Sequence, residues 1–541
     1  MISRSLAASL SAMIMNATRP ESLLVLVQLV VALLFALSLR SIARWRARTC
    51  GRPPPPGPRR LPIVGNMFNM PRSRQWVGYR DLSRELGDVV YFQVLGQSIV
   101  VLGSPEAIFE YLDKRSANTS DRVQSPMIEL SGSSWNFGFM PYGQWWRRHR
   151  RAFWQYFHRD AVEQYQPTQQ SVTHIFLETL LENPSRLRQL IRFNFAAVVL
   201  KILYDIDVED ENDVHVEMSE EALAGPVEGM VPGKFLVEFL PFLRHVPPWF
   251  PGATSQRLWA KWIAAGERLK NVPFKHTKAK LDNGEAAHSV TAKLLSRMTH
   301  LGTFSWEEEE VSKNVCAVAF EAGTDTVGAT LLGLFAGVSL HPEVLRKAHA
   351  ELDAVVGPHR LPDFGDRHSL VYVNAIIKES MRWHSTLPFG VPHATVADDE
   401  FRGYFIPAGT MLIPNTWACM HDPEVYEDPH VFRPERFIRD GKLDPDARDP
   451  APFVFGYGRR ICPGRYFAED TLFINVACVL HVFDITPSLG EDGRPMTIEH
   501  VQSDTLISYP EDCRCTIKPR SAMAEALIRS CAADARSEPK G

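Results

Sequence analysis

The chain has 541 residues, 45% of them hydrophobic, and a formal net charge of −4. That length buries one very large core or two ordinary ones, and the near balance of charge leaves no nucleic-acid footprint. Eight cysteines at positions 50, 316, 419, 462, 478, 513, 515 and 531 show no framework spacing, which argues against a disulfide scaffold and for a reducing setting around the globular part.

The first predicted element is membranous. Residues 23–39, LLVLVQLVVALLFALSL, are uncharged and nearly span a hydrocarbon core as a helix. Arg40, Arg44, Arg46 and Arg48 follow, so the positive-inside rule puts the globular part in the cytosol. A cleaved signal peptide is disfavoured by the length of the run and by the arginines that end it. The expected organisation is a short lumenal N-terminus (1–21) with a glycosylation sequon at Asn16, an uncleaved anchor (22–40) and a basic, proline-rich linker (41–66). The main domain is expected over 67–520, and 521–541, rich in Ala, Arg and Ser, is expected to be a mobile tail.

Within the main domain, 88–103 carries β-branched and aromatic runs bounded by glycine, the signature of a small strand region. The rest reads as helix. Residues 231–252 mix aromatics with prolines and fit either a loop dipping into the bilayer interface or a plain core loop. Ser305 with Glu308 forms a capping box that opens one unusually long helix reaching His341. Pro342 suits the first turn of the next helix, which Gly357 closes.

Four segments carry chemistry. FGYGRRICPG, 455–464, sets Cys462 in a glycine-framed turn beside Arg459 and Arg460. Positive charge or a metal stabilises a thiolate there, and Gly458 and Gly464 permit positive φ or close backbone approach to a flat ligand. A structural zinc is a poor competitor, because such a site wants about four clustered Cys or His ligands and no C-x-x-C occurs near Cys462. AGTDT, 322–326, places a small pair, an acid and a hydroxyl in mid-helix, and by itself reads as a local kink. Glu379 and Arg382, three apart, read as an ordinary helix-face pair. In YGQWWRRHRRAF, 142–153, Trp146 and Arg150 share one face.

Together these segments resemble the cytochrome P450 family, whose haem-binding loop matches F-x-x-G-x-R-x-C-x-G from Phe455 to Gly464. The resemblance implies a mainly α fold with minor β, a P450-like triangular haem domain behind an N-terminal transmembrane helix. It makes Cys462 the axial ligand of heme b, iron protoporphyrin IX, with thiolate donation that favours O–O cleavage. Ala322 and Gly323 would leave room over the iron, and Thr326 with Asp325 would relay protons. Trp146, Arg150, Arg460 and His393 would hold the haem propionates. Glu379, Arg382 and Arg436 would form the family's structural network, and 505–507 a pocket turn. Too few residues follow Cys462 for a flavin domain, so an NADPH-cytochrome P450 reductase-like donor is expected, docking on Arg147, Arg148 and Arg151.

The expected activity is NADPH- and O2-dependent insertion of one oxygen atom into a lipophilic substrate, at an endoplasmic reticulum membrane with the catalytic domain facing the cytosol. Membrane lipid and the substrate are the other expected partners; nucleic acid is not one. The segment wording resembles fungal members acting on terpenoids, other secondary metabolites or aromatic xenobiotics. Alternatives are a haem-thiolate isomerase or dehydratase that uses no O2, and a non-catalytic haem sensor or carrier.

Overall fold

The structure is a computed structural model that describes residues 20–208, 213–231, 233–285, 288–300, 302, 305–490, 492–496 and 498–537. The predicted sequon at Asn16 lies outside the described residues. Two compact units emerge, 1–55 with 398–406, and 56–397 with 407–541.

In the first unit no glycine and no internal proline interrupts the apolar run, and it forms helix α1 (Pro20–Thr49). Leu29, Val31, Leu33 and Phe35 on α1 are exposed. Arg48 near its end donates to both Asp398 oxygens, at 2.7 and 2.5 Å, and Trp45 meets the Phe405 ring edge-on at 5.6 Å.

The second unit opens with a surprise for the linker reading. Residues 56–66 do not hang free, because a proline edge that cannot donate can still accept. Pro56 O accepts the Tyr91 N–H at 2.7 Å, and Asn66 ties Pro58 O to the Gln93 N–H. A Cβ on Gly57 would sit 1.9 Å from Tyr91 O, so only glycine allows that approach. The segment is laid along β1 (Val89–Val94), which pairs with β2 (Gln97–Leu102) as an antiparallel hairpin. Leu95 and Gly96 turn it with φ of 48° and 94°, the double positive φ of a type I′ turn. Strand β3 (His393–Ala394) and strand β4 (Met411–Pro414) complete a four-stranded sheet ordered β1-β2-β4-β3.

Helices dominate the remainder. Those that build the site are α2 (Gln144–Phe157), α3 (Gln166–Glu182), α4 (Leu187–Tyr204), α5 (Val214–Gly229) and α6 (Trp306–Leu340). Beyond them come α7 (Pro342–Val355), α8 (Val371–Trp383) and α9 (Arg465–Val482). Helix α6 is the long helix the capping signal predicts. Ser305 Oγ accepts the Glu308 N–H at 3.2 Å, while the Glu308 carboxylate turns to Arg148 instead of closing the box. Gly357, at φ +75°, lies just beyond α7 as expected. Helix α6 is also long and apolar enough to cross a membrane, yet it is core. Its first half, through Val315 and Phe320, packs in one apolar cluster with α2 and α4. Its second half, through Leu331 and Phe335, packs in another with α8 and α9. The AGTDT segment falls at the join between the two.

The tail expectation is overturned. Residues Ala522–Ser537 form a helix, α10, whose Ile528 and Ala532 are fully buried and which packs against α3. Ser521 caps it, its Oγ accepting the Ala524 N–H at 3.1 Å, and Arg536 pairs with Glu178. Apolar residues spaced by about one helical turn outweigh the polar composition. In 231–252 the short helical turns Leu236–Glu238 and Pro241–His245 leave Leu236, Phe242, Trp249 and Phe250 exposed.

Candidate active site

The cysteine turn is built by its backbone. The Cys462 N–H donates to Phe455 O at 2.7 Å, closing the loop on itself. Gly458 has φ +55°, and a Cβ there would lie 2.4 Å from Leu112 O, so this glycine is required twice over. Gly456, at φ +78°, also needs its freedom, whereas Gly464 lies at φ −95° and does not. Gly464 instead caps α9, and its N–H points at the Cys462 sulfur. Burial pushes the thiol up; that amide and the Arg150 and Arg465 charges pull the other way without winning. The protein alone therefore favours the thiol, and a bound metal would supply the charge that a thiolate needs.

Cys462 faces a cavity of about 520 Å³. Phe455, Gly464, Arg460 and His393 share its wall, and Ala322, Gly323 and Thr326 of α6 line it as well. Gly323 has its nearest outside neighbour at Val199 Cγ2, 3.4 Å from where a Cβ would be. Leu506 and Ile507 of the predicted pocket turn also line the cavity; Thr505 bonds Ile507 O at 2.6 Å and holds the turn. Trp146, Arg150 and Asp325 are not on the wall.

Thr326 Oγ1 donates back to Ala322 O at 2.8 Å, so its lone pairs are what it offers a ligand. Asp325 is nine-tenths buried and accepts from Arg192 Nε at 3.3 Å, and Arg192 in turn meets Glu220 at 2.8 Å. Burial raises the Asp325 carboxyl, with Arg192 opposing.

One edge of the cavity is crowded with cations. Arg460 donates to the carbonyls of Ser120, Phe137 and Met140 at 2.7, 3.3 and 2.7 Å, and its guanidinium sits 4.5 Å from the Trp146 ring centroid. Arg122, which no motif flagged, donates to the carbonyls of Gly138, Val391 and Pro392. Burial lowers Arg460 and Arg150 to about 10 each. Burial and the neighbouring arginines hold His393 well below its usual value, so it is neutral, with Nδ1–H on Thr119 O at 2.8 Å. Buried cations that repel one another and bond mainly to carbonyls suit an anionic guest. A thiol on the wall, cations along one edge and otherwise largely apolar walls fit a haem with two carboxylates.

The supporting network is as expected. Glu379 takes Arg382 Nε at 2.7 Å and Nη2 at 2.8 Å, and Arg436 Nε at 3.1 Å. It also accepts the Arg433 N–H at 2.8 Å, and Arg382 reaches Met420 O and Pro429 O. Glu379 and Arg382 are wholly buried, so this is framework rather than chemistry. The expected docking patch is smaller than the sequence suggests. Arg148 is held by Glu307 and Glu308 at 2.5 Å each, leaving Arg147 and Arg151 exposed. Sequence reasoning also missed Asn136 and Glu321, a polar pair on the cavity wall.

A family model described as cytochrome P450 matches residues 55–509. Cytochrome P450 monooxygenase COX2 of Coprinopsis cinerea is 39% identical over 90% of this chain and 93% of its own length. COX1 of the same fungus is 38% identical over 90% of this chain and 96% of its own. Tryptamine 4-monooxygenase of Psilocybe cyanescens is 34% identical over 92% of this chain and 98% of its own. With a thiol-bearing cavity, a buried cationic edge and full-length monooxygenase relatives, the chain belongs to the cytochrome P450 family and is a P450 monooxygenase.

Proposed function

We propose that the protein hydroxylates a lipophilic secondary metabolite, of terpenoid or aromatic type, with heme b in the cavity and electrons from a membrane NADPH-dependent reductase. The observation that carries this reading is the placement of Cys462 and Thr326 on the wall of one mostly apolar cavity at the join of two cores. The haem, when bound, supplies dioxygen activation.

The chain's own residues supply the rest. Cys462 would hold the haem iron through its sulfur, kept by the Gly464 N–H and the N-terminal end of α9. Arg460, Arg122 and, once an acid partner raises it, His393 take the propionates, with Arg150 and Trp146 backing them. Asp325 takes up protons from the Arg192–Glu220 side, and Thr326 accepts a hydrogen bond from a water with the lone pairs its back-bond leaves. Leu506, Ile507 and the α4 and α5 walls exclude water and orient the substrate. Helix α1 anchors the chain in the endoplasmic reticulum membrane, and the exposed Phe242, Trp249 and Phe250 rest on its surface. Arg147 and Arg151 receive the reductase.

The relative named tryptamine 4-monooxygenase adds small aromatic amines to the panel worth screening. The test is reductase-coupled turnover against terpenes, indoles and polycyclic aromatics. NADPH- and O2-dependent product is expected, and Thr326→Ala should lower product yield about 10²-fold while NADPH is still consumed. Product without O2 would instead support an isomerase. Arg147→Glu with Arg151→Glu should slow reduction and leave the haem spectrum unchanged; an unaffected reduction rate would remove the docking assignment.

A further inference from the structure

Glu321 is an acid where the chemistry described so far needs none. It precedes Ala322 on α6, is 3% exposed and lines the cavity among Val318, Ala319 and Phe137. Its Oε2 accepts from Asn136 Nδ2 at 2.5 Å. The Asn136 amide cannot be turned the other way, because its Oδ1 is already taken by the Gly138 N–H at 2.7 Å. Glu321 Oε1 makes no hydrogen bond among the described residues, and no cation pairs with the carboxyl; a neutral amide is its sole partner. Burial accordingly raises this carboxyl to about 7. An acid left in that state is costly unless something completes it.

We propose that Glu321, oriented by Asn136, is a specificity-determining residue that takes one hydrogen-bond donor, a hydroxyl group, of an otherwise apolar substrate. The proposal rests on the monooxygenase reading and adds a chemical class to it: the substrate arrives already oxygenated, so an earlier oxidation or a water-quenched cyclisation must supply it. A site built to bond a hydroxyl rejects the analogue lacking it, because the buried acceptor is then stranded. A purely structural Glu321, tying the loop of Asn136 to α6, would change the binding of all ligands alike.

The experiment is calorimetric titration of the haem-loaded, full-length protein with matched alcohol and hydrocarbon pairs of mono- and sesquiterpene skeletons. Borneol against bornane is one pair, with camphor as the acceptor-only control. At about pH 8.5, where the raised carboxyl is ionised and only accepts, at least one pair should favour the alcohol by about tenfold or more, with the ketone no better than the hydrocarbon. Glu321→Ala and Asn136→Ala should erase the preference, and Glu321→Gln, whose oxygen is taken by Asn136 Nδ2 so that its NH2 faces the substrate, should bind the ketone at least as well as the alcohol. Absence of alcohol preference in every pair, failure to bind any alcohol, or a preference that survives Glu321→Ala would overturn the proposal. The reduced, carbon monoxide-bound spectrum of each variant keeps the two readings apart: with the thiolate band present, only the role of Glu321 fails.

Discussion

At the scale of the residue, Cys462 is less prepared than its arginine neighbours suggest. Burial raises its pKa, and the Gly464 amide and the Arg150 charge offset only part of that rise. A thiolate at Cys462 would therefore be a property of the loaded site. What the loop does prepare is geometry. Gly458→Ala must place a side chain at positive φ against Leu112 O, and should destabilise the protein by about 2 kcal/mol or more. Denaturant unfolding followed by tryptophan fluorescence checks this; a variant within experimental error of wild type would show that the turn relaxes. Residues that carry a fixed spacing, such as Phe455, Cys462, Ala322 and Thr326, were legible in the sequence. Arg122, Asn136 and Glu321 were not, because only the packing of distant segments makes them neighbours of the cavity.

At the scale of the element, α6 and α10 show what local pattern can and cannot reveal. Ser305 as a cap and the proline-free run to His341 gave α6 nearly to the residue. The same logic applies to α10, where Ala524, Ile528 and Ala532 recur on one face, but its polar composition hid the pattern. Helix α10 is part of the core, with Ile528 fully buried against the cluster that includes α8 and α9. Ile528→Ala should cost about 2–5 kcal/mol, measured as a shift in the denaturation midpoint. A loss under about 0.5 kcal/mol would return the segment to the status of a tail. The linker differs from its expectation for a related reason: proline predicts extension, but not that Pro56 O would complete the edge of β1.

At the scale of the whole molecule, buried histidines govern the response to acid. His384 and His481 are lowered by burial to about 4, and His421 and His500 lie well below their ordinary value. Each stays neutral in the folded state while the unfolded chain takes up a proton near pH 6.5. Above that pH they contribute no slope. As pH falls through it, each costs about 1.4 kcal/mol per unit until its folded pKa is reached. Glu321 and Glu238, both raised to about 7 by burial, act oppositely, since stability falls as pH rises from 4.5 to 7. Four histidines outweigh two carboxyls, so the urea midpoint should fall between about pH 6.5 and 5; a midpoint that holds or rises would mean that these histidines are protonated in the fold. The fold class was legible, with the strand region at 88–103 and helices α6 and α7, whereas the two-core arrangement that sets the cavity at the middle of α6 arises only from assembly.

The central claim is that Cys462 holds a haem iron through its sulfur, and the reduced, carbon monoxide-bound absorption spectrum tests it most directly. The wild-type protein should show the red-shifted Soret band of thiolate ligation, and Cys462→Ser should lose it. A wild-type spectrum without that band, or a Cys462→Ser variant that keeps it, would contradict the account.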